Sequence, residues 1–229
     1  FGYQIQPNEI SVQEELEKAL STILRIEIKT TGAGRTDTGV HAKKMFAHFD
    51  FDGEISEKLV HQLNSFLPPS IAVKKIFEVK EDFHARFSAK YRTYEYYISL
   101  EKNPFSEKFA WQHWRKTLDV EKMNEACKIL FEYEDFGSFA KVGADNKTNI
   151  CKIYHANWEQ NGNELKFTIS ADRFLRNMVR AIVGTMVEIG SGKLKPADLR
   201  NVIEAKNRGV AGTSAPAHAL FLVDVGYDF

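Results

Sequence analysis

One acidic and one basic side chain lie close together in a glycine-rich stretch of the sequence, residues 32–39, as Arg35 and Asp37. Glycines allow tight turns, so such a loop can present a carboxylate as a nucleophile or base beside an arginine. An isolated Gly-Arg-x-Asp is more often a turn whose Asp caps a backbone amide. A phosphate-binding loop is disfavoured, because Val40-His41 follow Gly39 where such a loop needs Lys and Ser or Thr. Asp37 is therefore a candidate catalytic residue whose role depends on its surroundings.

A second candidate lies in residues 91–98, whose aromatic and β-branched side chains predict a strand. On such a strand Arg92, Tyr94 and Tyr96 point to the same face. The Tyr94 ring could stack on a base while its hydroxyl stays polar. Aromatic strand faces are more often core, and we assign Tyr96 and Tyr97 to the core on that ground. Tyr94, beside a basic neighbour, remains a candidate ligand.

Three arginines, Arg173, Arg176 and Arg180, have the spacing i, i+3, i+7 within a stretch of helical periodicity. Most such stripes are simply solvated. Arg180, however, is followed directly by the apolar residues 181–184, which places it at the margin of a buried surface. Arginines in that position usually have a carboxylate partner. The sequence therefore predicts a buried acid elsewhere in the chain.

Several other chemistries are disfavoured. The two cysteines, Cys127 and Cys151, fit neither a disulfide framework nor a zinc site, and the seven histidines lack metal-binding helical spacing. No serine lies in a Gly-x-Ser-x-Gly context, which argues against hydrolase chemistry. We expect no metal. No signal peptide or long apolar run is visible, so we expect a cytoplasmic protein with no membrane segment.

Composition and net charge limit the kind of partner that this protein can bind. The chain has 229 residues, 43% hydrophobic and 27% charged, and a formal net charge of zero. A protein that coats nucleic acid indiscriminately needs a net positive charge, so a nucleic-acid site here must be a local basic patch. The candidates for phosphate contacts are Lys43, Lys44, Lys141, Arg173 and Arg176.

Periodicity and turn signals predict the elements that position these residues. Helices are predicted over residues 11–24, 56–67, 119–130, 174–190 and 196–205, the first from a capping box at Ser11 and Glu14. Strands are predicted over residues 26–30, 45–51, 71–79, 91–98, 150–158, 165–170 and 221–225, with a hairpin turn at Asn161-Gly162. Because the chain opens on Phe1, we also expect an additional strand before it.

This mixture predicts an α+β fold in which antiparallel strand pairs dominate. We expect two α+β lobes flanking a central cleft. The amino-terminal lobe, residues 1–100, would carry the Asp37 loop. The carboxy-terminal lobe, residues 101–229, would carry the Arg180 helix.

Taken together, these segments resemble the tRNA pseudouridine synthase A family in order along nearly the whole chain. Residues 33–42 are similar to the family's signature loop, the most specific match. The opening, residues 2–7 and 11–14, also resembles the family. Further matches are residues 83–89, the strand through Tyr94, Asp135-Phe136 with Phe139, Met178-Val179-Arg180, Ile182-Val183-Gly184, and Ala215-Pro216-Ala217 with Leu220.

The resemblance implies a role for five residues. Asp37 corresponds to the family's essential aspartate, and Arg180 to the arginine paired with it. Tyr94 corresponds to the tyrosine that stacks on the target base. Arg35 matches an arginine that helps to flip the nucleotide, and Leu220 an apolar residue of the pocket wall.

The resemblance also implies the reaction and its partners. Uridines at positions 38, 39 and 40 of the tRNA anticodon stem-loop would be isomerised to pseudouridine by a homodimer, without cofactor or metal. Asp37 would attack uracil C6, attack ribose C1′, or abstract a ribose proton to give a glycal, and the sequence leaves these three routes open.

Two positions depart from the family pattern. Ala219 stands where Gly is common, and Arg176-Asn177 replaces an aromatic or histidine pair. Both departures could alter the pocket wall. Two rival functions remain: a tRNA chaperone that binds without isomerising, and a nucleotide-binding enzyme that uses the glycine-rich loop.

Overall fold

The structure, a computed structural model, describes residues 1–115, 117–144 and 146–229, which form two compact units. The first unit comprises Phe1–Gly39, Met45–Ala89 and Tyr227–Phe229, and the second Val40–Lys44 and Lys90–Gly226. The division into lobes at residue 100 stays a prediction.

In chain order the elements are α1 (Val12–Leu24), β1 (Thr31–Gly32), β2 (His41–Ala42), β3 (Ala47–His48), α2 (Leu59–Phe66), β4 (Tyr91–Ser99), β5 (Trp111–Gln112), α3 (Val120–Leu130), β6 (Ile153–Asn161), β7 (Glu164–Ala171), α4 (Met178–Gly190), α5 (Asp198–Glu204) and β8 (Leu220–Gly226).

The first unit is built on two helices. At the start of α1 the Ser11 hydroxyl accepts a hydrogen bond from the Glu14 amide at 3.2 Å, so the predicted cap is confirmed. The buried side of α1, with Ala19 and Leu20, shares a small apolar core with Leu59 and Leu63 of α2. The only strand pair described in this unit joins the two-residue strands β1 and β3.

Two predicted strands of the first unit are wrong. Residues 26–30 and 71–79 contain no strand residue. One backbone amide in each segment bonds to a helix side chain instead: Ile28 donates to the Ser21 hydroxyl at 2.9 Å, and Val73 donates to the Asn64 side-chain oxygen at 2.7 Å. A backbone group satisfied by a side chain has no need of a ladder partner. The strand predicted over residues 45–51 shortens to β3.

The second unit contains a six-stranded sheet of order β2-β8-β4-β7-β6, with β5 also paired to β4. The pairs β2–β8 and β4–β5 are parallel, and the other pairs are antiparallel. The predicted α+β class with mainly antiparallel pairing is therefore confirmed. Gly162, with φ +58°, closes the predicted hairpin between β6 and β7.

Helices α3 and α4 share the core of this unit with one face of the sheet. Alternate residues of β7, namely Leu165, Phe167, Ile169 and Ala171, are fully buried. This is the period-two pattern of a strand with one face in a core. Central strand β4 lies between β7 and β8, so its side chains are fixed by neighbours on both sides.

Helix α4 begins later than predicted. Asn177 adopts a left-handed conformation, φ 68°, and the helix starts after it rather than at residue 174. The Arg176 carbonyl accepts a hydrogen bond from the Lys141 amide at 3.0 Å. Arg173 and Arg176 therefore precede the helix, and the predicted stripe of three arginines on one helix face is wrong.

Candidate active site

The Asp37 loop is an irregular segment of the first unit. It leaves β1 through Ala33, which is buried and whose amide donates to the Phe46 carbonyl at 2.8 Å. Asp37 is partly buried and Arg35 is exposed. Gly39 closes the segment with φ +84°, a conformation that favours glycine. The loop thus presents both predicted side chains at its surface.

Gly2 holds the loop from one side. It has φ +75°, and a Cβ at this position would lie 2.5 Å from the Thr36 carbonyl oxygen, one residue before Asp37. A side chain there would push the Thr36 backbone away. Sequence reasoning matched Gly2 to the family's opening but missed this contact, because nothing in the local sequence indicates which backbone the glycine meets.

A buried carboxylate anchors the chain that leads into the loop. Glu17 of α1 accepts hydrogen bonds from the Thr30 amide at 2.8 Å, the Thr30 hydroxyl at 3.2 Å and the Gln13 side-chain amide at 2.9 Å. Gln13 also donates to the Thr30 carbonyl at 2.8 Å. Both backbone groups of Thr30, directly before β1, are therefore fixed by side chains of α1. Neither Glu17 nor Gln13 was predicted as a site residue.

Tyr94 lies on central strand β4, opposite Ile169 of β7 and Leu222 of β8. Its ring meets the Phe174 ring edge to face, with centroids 5.3 Å apart and planes at 87°. The side chain is half-buried at the edge of the apolar core. Such a ring is held in place and keeps part of its surface available for stacking.

Arg180 lies in the first turn of α4, next to the segment that leads to β8. Its Nε donates to the Ala215 carbonyl at 2.7 Å, and its own carbonyl accepts from the Ala215 amide at 2.9 Å. The fully buried Tyr96 donates to the Pro216 carbonyl at 2.9 Å. Burial raises the pKa of Tyr96, and the Arg180 charge opposes that rise. Tyr96 is thus a core residue as predicted, and it lies within the field of Arg180. The core assignment of Tyr97 is wrong, because Tyr97 is half-buried and its hydroxyl bonds to the side chains of Lys43 and Glu95.

Two glycines allow the segment that leads to β8, which contains Ala215, to lie against α4. A Cβ at Gly184 would lie 1.8 Å from the Thr213 carbonyl oxygen, and a Cβ at Gly212 would lie 2.7 Å from the Thr185 amide nitrogen. The Gly212 amide donates to the Thr185 hydroxyl at 2.9 Å. These contacts position Ala215 close to α4, where Arg180 forms its hydrogen bonds with Ala215. Of the two glycines, only Gly184 belongs to a motif that is visible in the sequence.

Leu220 opens β8 directly opposite Tyr96 and is 5% exposed. The structure therefore brings Tyr94, Arg180 and Leu220 around Tyr96 in the second unit. Ala219, where the family commonly has glycine, is fully buried in the same core. Asp37 and Arg35 belong to the first unit. The pairing of Asp37 with Arg180 stays a prediction.

The proposed phosphate contacts differ in their surroundings. Lys43 donates to the Glu95 carboxylate and the Tyr97 hydroxyl, each at 2.9 Å. Burial alone would lower the pKa of Lys43, but the hydrogen bonds to Tyr97 and Glu95 raise it above its usual value. Arg176 is exposed, and Arg173 is partly exposed just after the end of β7. Any binding of phosphate by Lys43 competes with its carboxylate partner.

Residues 1–115, 117–144 and 146–229 show neither a metal-binding site nor a reactive thiol. No group of three or more His, Cys, Asp or Glu side chains in these ranges is arranged to hold a metal ion. Burial raises the pKa of the Cys127 and Cys151 thiols to about 12, which keeps both protonated. Within the same ranges, no helix is both long enough and apolar enough to cross a membrane.

Comparison with known proteins agrees with these features. The sequence profile described as tRNA pseudouridine synthase matches residues 126–228. Similar curated proteins carry the name tRNA pseudouridine synthase A. Those of Bacteroides fragilis and Parabacteroides distasonis are 56% and 54% identical to this chain, each covering 99% of it and 90% of their own length. The Bacillus subtilis protein is 40% identical over 99% of this chain and 94% of its own length.

The α+β fold, the aspartate loop and these matches define the class of the protein as a pseudouridine synthase. Within that class, the chain belongs to the tRNA pseudouridine synthase A family. Members of the family are isomerases that act on tRNA. The predicted family and enzyme class are therefore confirmed.

Proposed function

We propose that this chain isomerises uridine to pseudouridine at positions 38 to 40 of the tRNA anticodon stem-loop, with the Asp37 carboxylate as the catalytic group. The observation that carries the proposal is the signature loop around Asp37, present in a chain that matches family members over 99% of its length. The N1–C1′ bond of the nucleotide breaks and a C5–C1′ bond forms. The C5 proton leaves to solvent and N1 gains a proton, so neither oxidant nor reductant is needed.

Asp37 reacts, in this proposal, as a carboxylate paired with Arg180. A guanidinium beside a carboxylate favours its charged form. The route by which Asp37 reacts stays open among C6 attack, C1′ attack and a glycal.

Binding of the flipped base is assigned to three other residues. Tyr94 stacks on the base, which is worth roughly 1–3 kcal/mol for a nucleobase on an aromatic ring. Arg35, exposed on the Asp37 loop, assists extrusion of the nucleotide, a step that costs a few kcal/mol. Leu220 forms part of the apolar pocket wall. Lys43, Arg173 and Arg176 contribute phosphate contacts, of which Lys43 first has to leave Glu95.

Family membership alone supports the remaining parts of the proposal. The enzyme acts as a homodimer in which one tRNA contacts both subunits, works without a cofactor, and is located in the cytoplasm. Light scattering of the purified protein tests the first of these directly. A mass corresponding to one chain at micromolar concentration would contradict the dimer.

The deciding experiment measures tritium release from tRNA labelled at uracil C5. The unaltered enzyme should release tritium, and Asp37→Asn should release none while still binding tRNA. Release by Asp37→Asn would contradict the proposed catalytic group. Binding without release by the unaltered protein would favour the rival tRNA chaperone, and stabilisation by ATP in a thermal shift would favour the nucleotide-binding enzyme.

The role of Arg180 is tested by Arg180→Ala against a matched control, Arg208→Ala. Arg208 also bonds through its guanidinium to the segment before β8, at the Ala211 carbonyl and the Ser214 hydroxyl. Both variants lose guanidinium bonds to this segment, but only Arg180→Ala should reduce turnover far more than tRNA binding. Full turnover in Arg180→Ala would refute the pairing with Asp37.

A further inference from the structure

Residues 84–88 of the first unit form a turn that hydrogen bonds fix from several sides. The His84 amide donates to the Ser88 hydroxyl at 3.0 Å, and the Ser88 amide donates to the His84 carbonyl at 2.8 Å. The Tyr227 hydroxyl donates to the Ala85 carbonyl. This turn lies within residues 83–89, a segment that resembles the family and has no role in the proposed function.

Two imidazole side chains also fix this turn, because they accept hydrogen bonds from its backbone amides. His48 Nδ1 accepts from the Ala85 amide at 3.1 Å. His84 Nδ1 accepts from the amides of Arg86 and Phe87 at 3.2 Å and 3.3 Å. Three successive amides of the turn are therefore satisfied by side chains, which leaves its backbone little freedom.

The turn displays an aromatic ring beside a cation. Phe87 is 76% exposed. Its ring lies 4.3 Å from the His84 ring at 33°, and the Arg86 guanidinium carbon lies 5.6 Å from its centroid. A single exposed apolar residue needs no functional explanation. A ring held on a fixed turn can stack on a nucleobase, and a guanidinium next to it can contact the phosphate of the same nucleotide.

We propose that Phe87 and Arg86 form a subsite for an unpaired nucleotide of tRNA, in which the base stacks on Phe87 and Arg86 contacts the adjacent phosphate. The proposal rests on tRNA being the substrate. RNA is favoured over a protein partner because the group beside the ring is a permanent cation and the family's substrate is a polyanion. The fixed turn loses little conformational freedom when it binds, which favours affinity.

Stacking at this subsite supports binding equally before and during the reaction. Removal of the ring should therefore raise the apparent KM and the Kd for tRNA and leave kcat at saturating tRNA unchanged. Phe87→Ala should weaken tRNA binding about tenfold, equivalent to about 1.4 kcal/mol. Phe87→Tyr keeps a stacking ring and should restore binding to within about twofold of the unaltered enzyme.

The matched control is Phe105→Ala, because Phe105 is 95% exposed and belongs to the second unit. Filter binding of an unmodified tRNA transcript to the full-length variants gives the comparison. Equal Kd values for Phe87→Ala and Phe105→Ala would overturn the subsite. So would a change in oligomeric state for Phe87→Ala without a change in tRNA affinity, since Phe87 would then contact a second copy of the chain.

Arg86→Gln tests the phosphate contact independently of the ring. It should weaken tRNA binding and reduce the slope of log K against log salt by about one unit, as expected for one lost phosphate contact. An unchanged slope would refute that part of the proposal.

A cross-linking experiment covers the case in which Phe87→Ala disturbs the turn. A photoreactive phenylalanine analogue at position 87 should form an adduct with one or a few unpaired nucleotides of the transcript. Failure to form any adduct would refute the subsite.

The binding readout separates this proposal from the proposed function. If the unaltered chain binds the transcript but releases no tritium, the proposed function fails and the subsite stands. If it releases tritium and Phe87→Ala binds as tightly as the control, the subsite fails and the function stands.

Discussion

The two units hold their candidate site residues by different means. In the second unit Tyr94 and Leu220 lie on long strands of a six-stranded sheet, and regular ladders fix their positions. In the first unit the Asp37 loop follows a two-residue strand, Gly2 approaches the loop at Thr36, and the Glu17 carboxylate fixes Thr30 before the strand. We expect changes in the second unit to act mainly on global stability. Changes in the first unit should cost less stability, and those near the Asp37 loop should also alter its geometry.

The largest effect is expected for Gly184→Ala in the second unit. The added Cβ would meet the Thr213 carbonyl oxygen at 1.8 Å, and neither backbone segment can yield without disturbing the core. We expect a loss of about 3 kcal/mol, the upper end of the usual range for overpacking, in urea unfolding. Gly34→Ala is the control, because a Cβ at that position would have no atom of the described residues within 4 Å, apart from those of Gly34 and its two chain neighbours. Equal free energies of unfolding for the two variants would contradict the expected destabilisation at Gly184.

The next largest effect is expected for Glu17→Gln, which weakens the anchor of the Asp37 loop. The buried carboxylate accepts three hydrogen bonds, and hydrogen bonds to charged groups contribute more than neutral ones. We expect a loss of about 2 kcal/mol in the free energy of unfolding. Hydrogen exchange at the Thr30 amide should accelerate as well.

Glu14→Gln is the matched control for Glu17→Gln, because Glu14 is exposed on the same helix. It should cost at most about 0.5 kcal/mol through the helix dipole. If the two substitutions have the same effect, the buried network does not anchor the loop.

A smaller, purely geometric effect is expected for Gly2→Ala. The substitution forces the Thr36 carbonyl away from a Cβ that would lie at 2.5 Å, and it strains a backbone with φ +75°. We expect kcat to fall about tenfold, equivalent to about 1.4 kcal/mol in the barrier, with tRNA affinity nearly unchanged. Gln4→Ala, at an exposed position of the same segment, should keep full turnover. A loss of affinity without a loss of kcat would contradict this role.

The smallest effect is a pH dependence from His48 in the first unit. Burial and the nearby His84 lower the pKa of His48 below its ordinary value of 6.5. The unfolded chain then binds more protons than the folded one, so stability falls as pH drops through 6.5 towards the lowered pKa. Protonation also removes the acceptor for the Ala85 amide.

The His48 prediction is checked by urea unfolding between about pH 5 and pH 8, with His48→Asn as the control. The Asn side-chain oxygen can replace Nδ1 as an acceptor and does not titrate. The difference between the two pH profiles isolates His48 from the other histidines. Parallel profiles would show that His48 does not contribute.

Much of the second unit could be predicted from sequence, because local signals and tertiary structure agree there. The helix predicted over residues 119–130 is α3, which Asp119 caps; the predicted Asn161-Gly162 turn joins β6 and β7; and the strand predicted over residues 165–170 lies within β7. The start of α4 could not be predicted. It depends on the left-handed conformation of Asn177, which apolar periodicity does not report.

The first unit was harder because its backbone bonds to side chains. The alternation in residues 26–30 and 71–79 is real, but Ser21 and Asn64 satisfy amides there without a neighbouring strand. Motifs single out Asp37, Tyr94 and Arg180 as candidate site residues, and their roles stay predictions. The contacts of Gly2 and Gly212 were not, since a close approach between distant backbones leaves no local pattern.

The aromatic residues Tyr227 and Phe229 have a consequence for synthesis on the ribosome. They pack with Phe46, Phe77 and Phe83 into one ring cluster of the first unit, with centroid distances from 5.0 to 6.0 Å. Translation reaches these two residues only after it has passed residues 40–44 and 90–226, the whole of the second unit. The unit that starts first along the messenger is therefore completed last. Until then the nascent chain lacks the two rings that pack against Phe83.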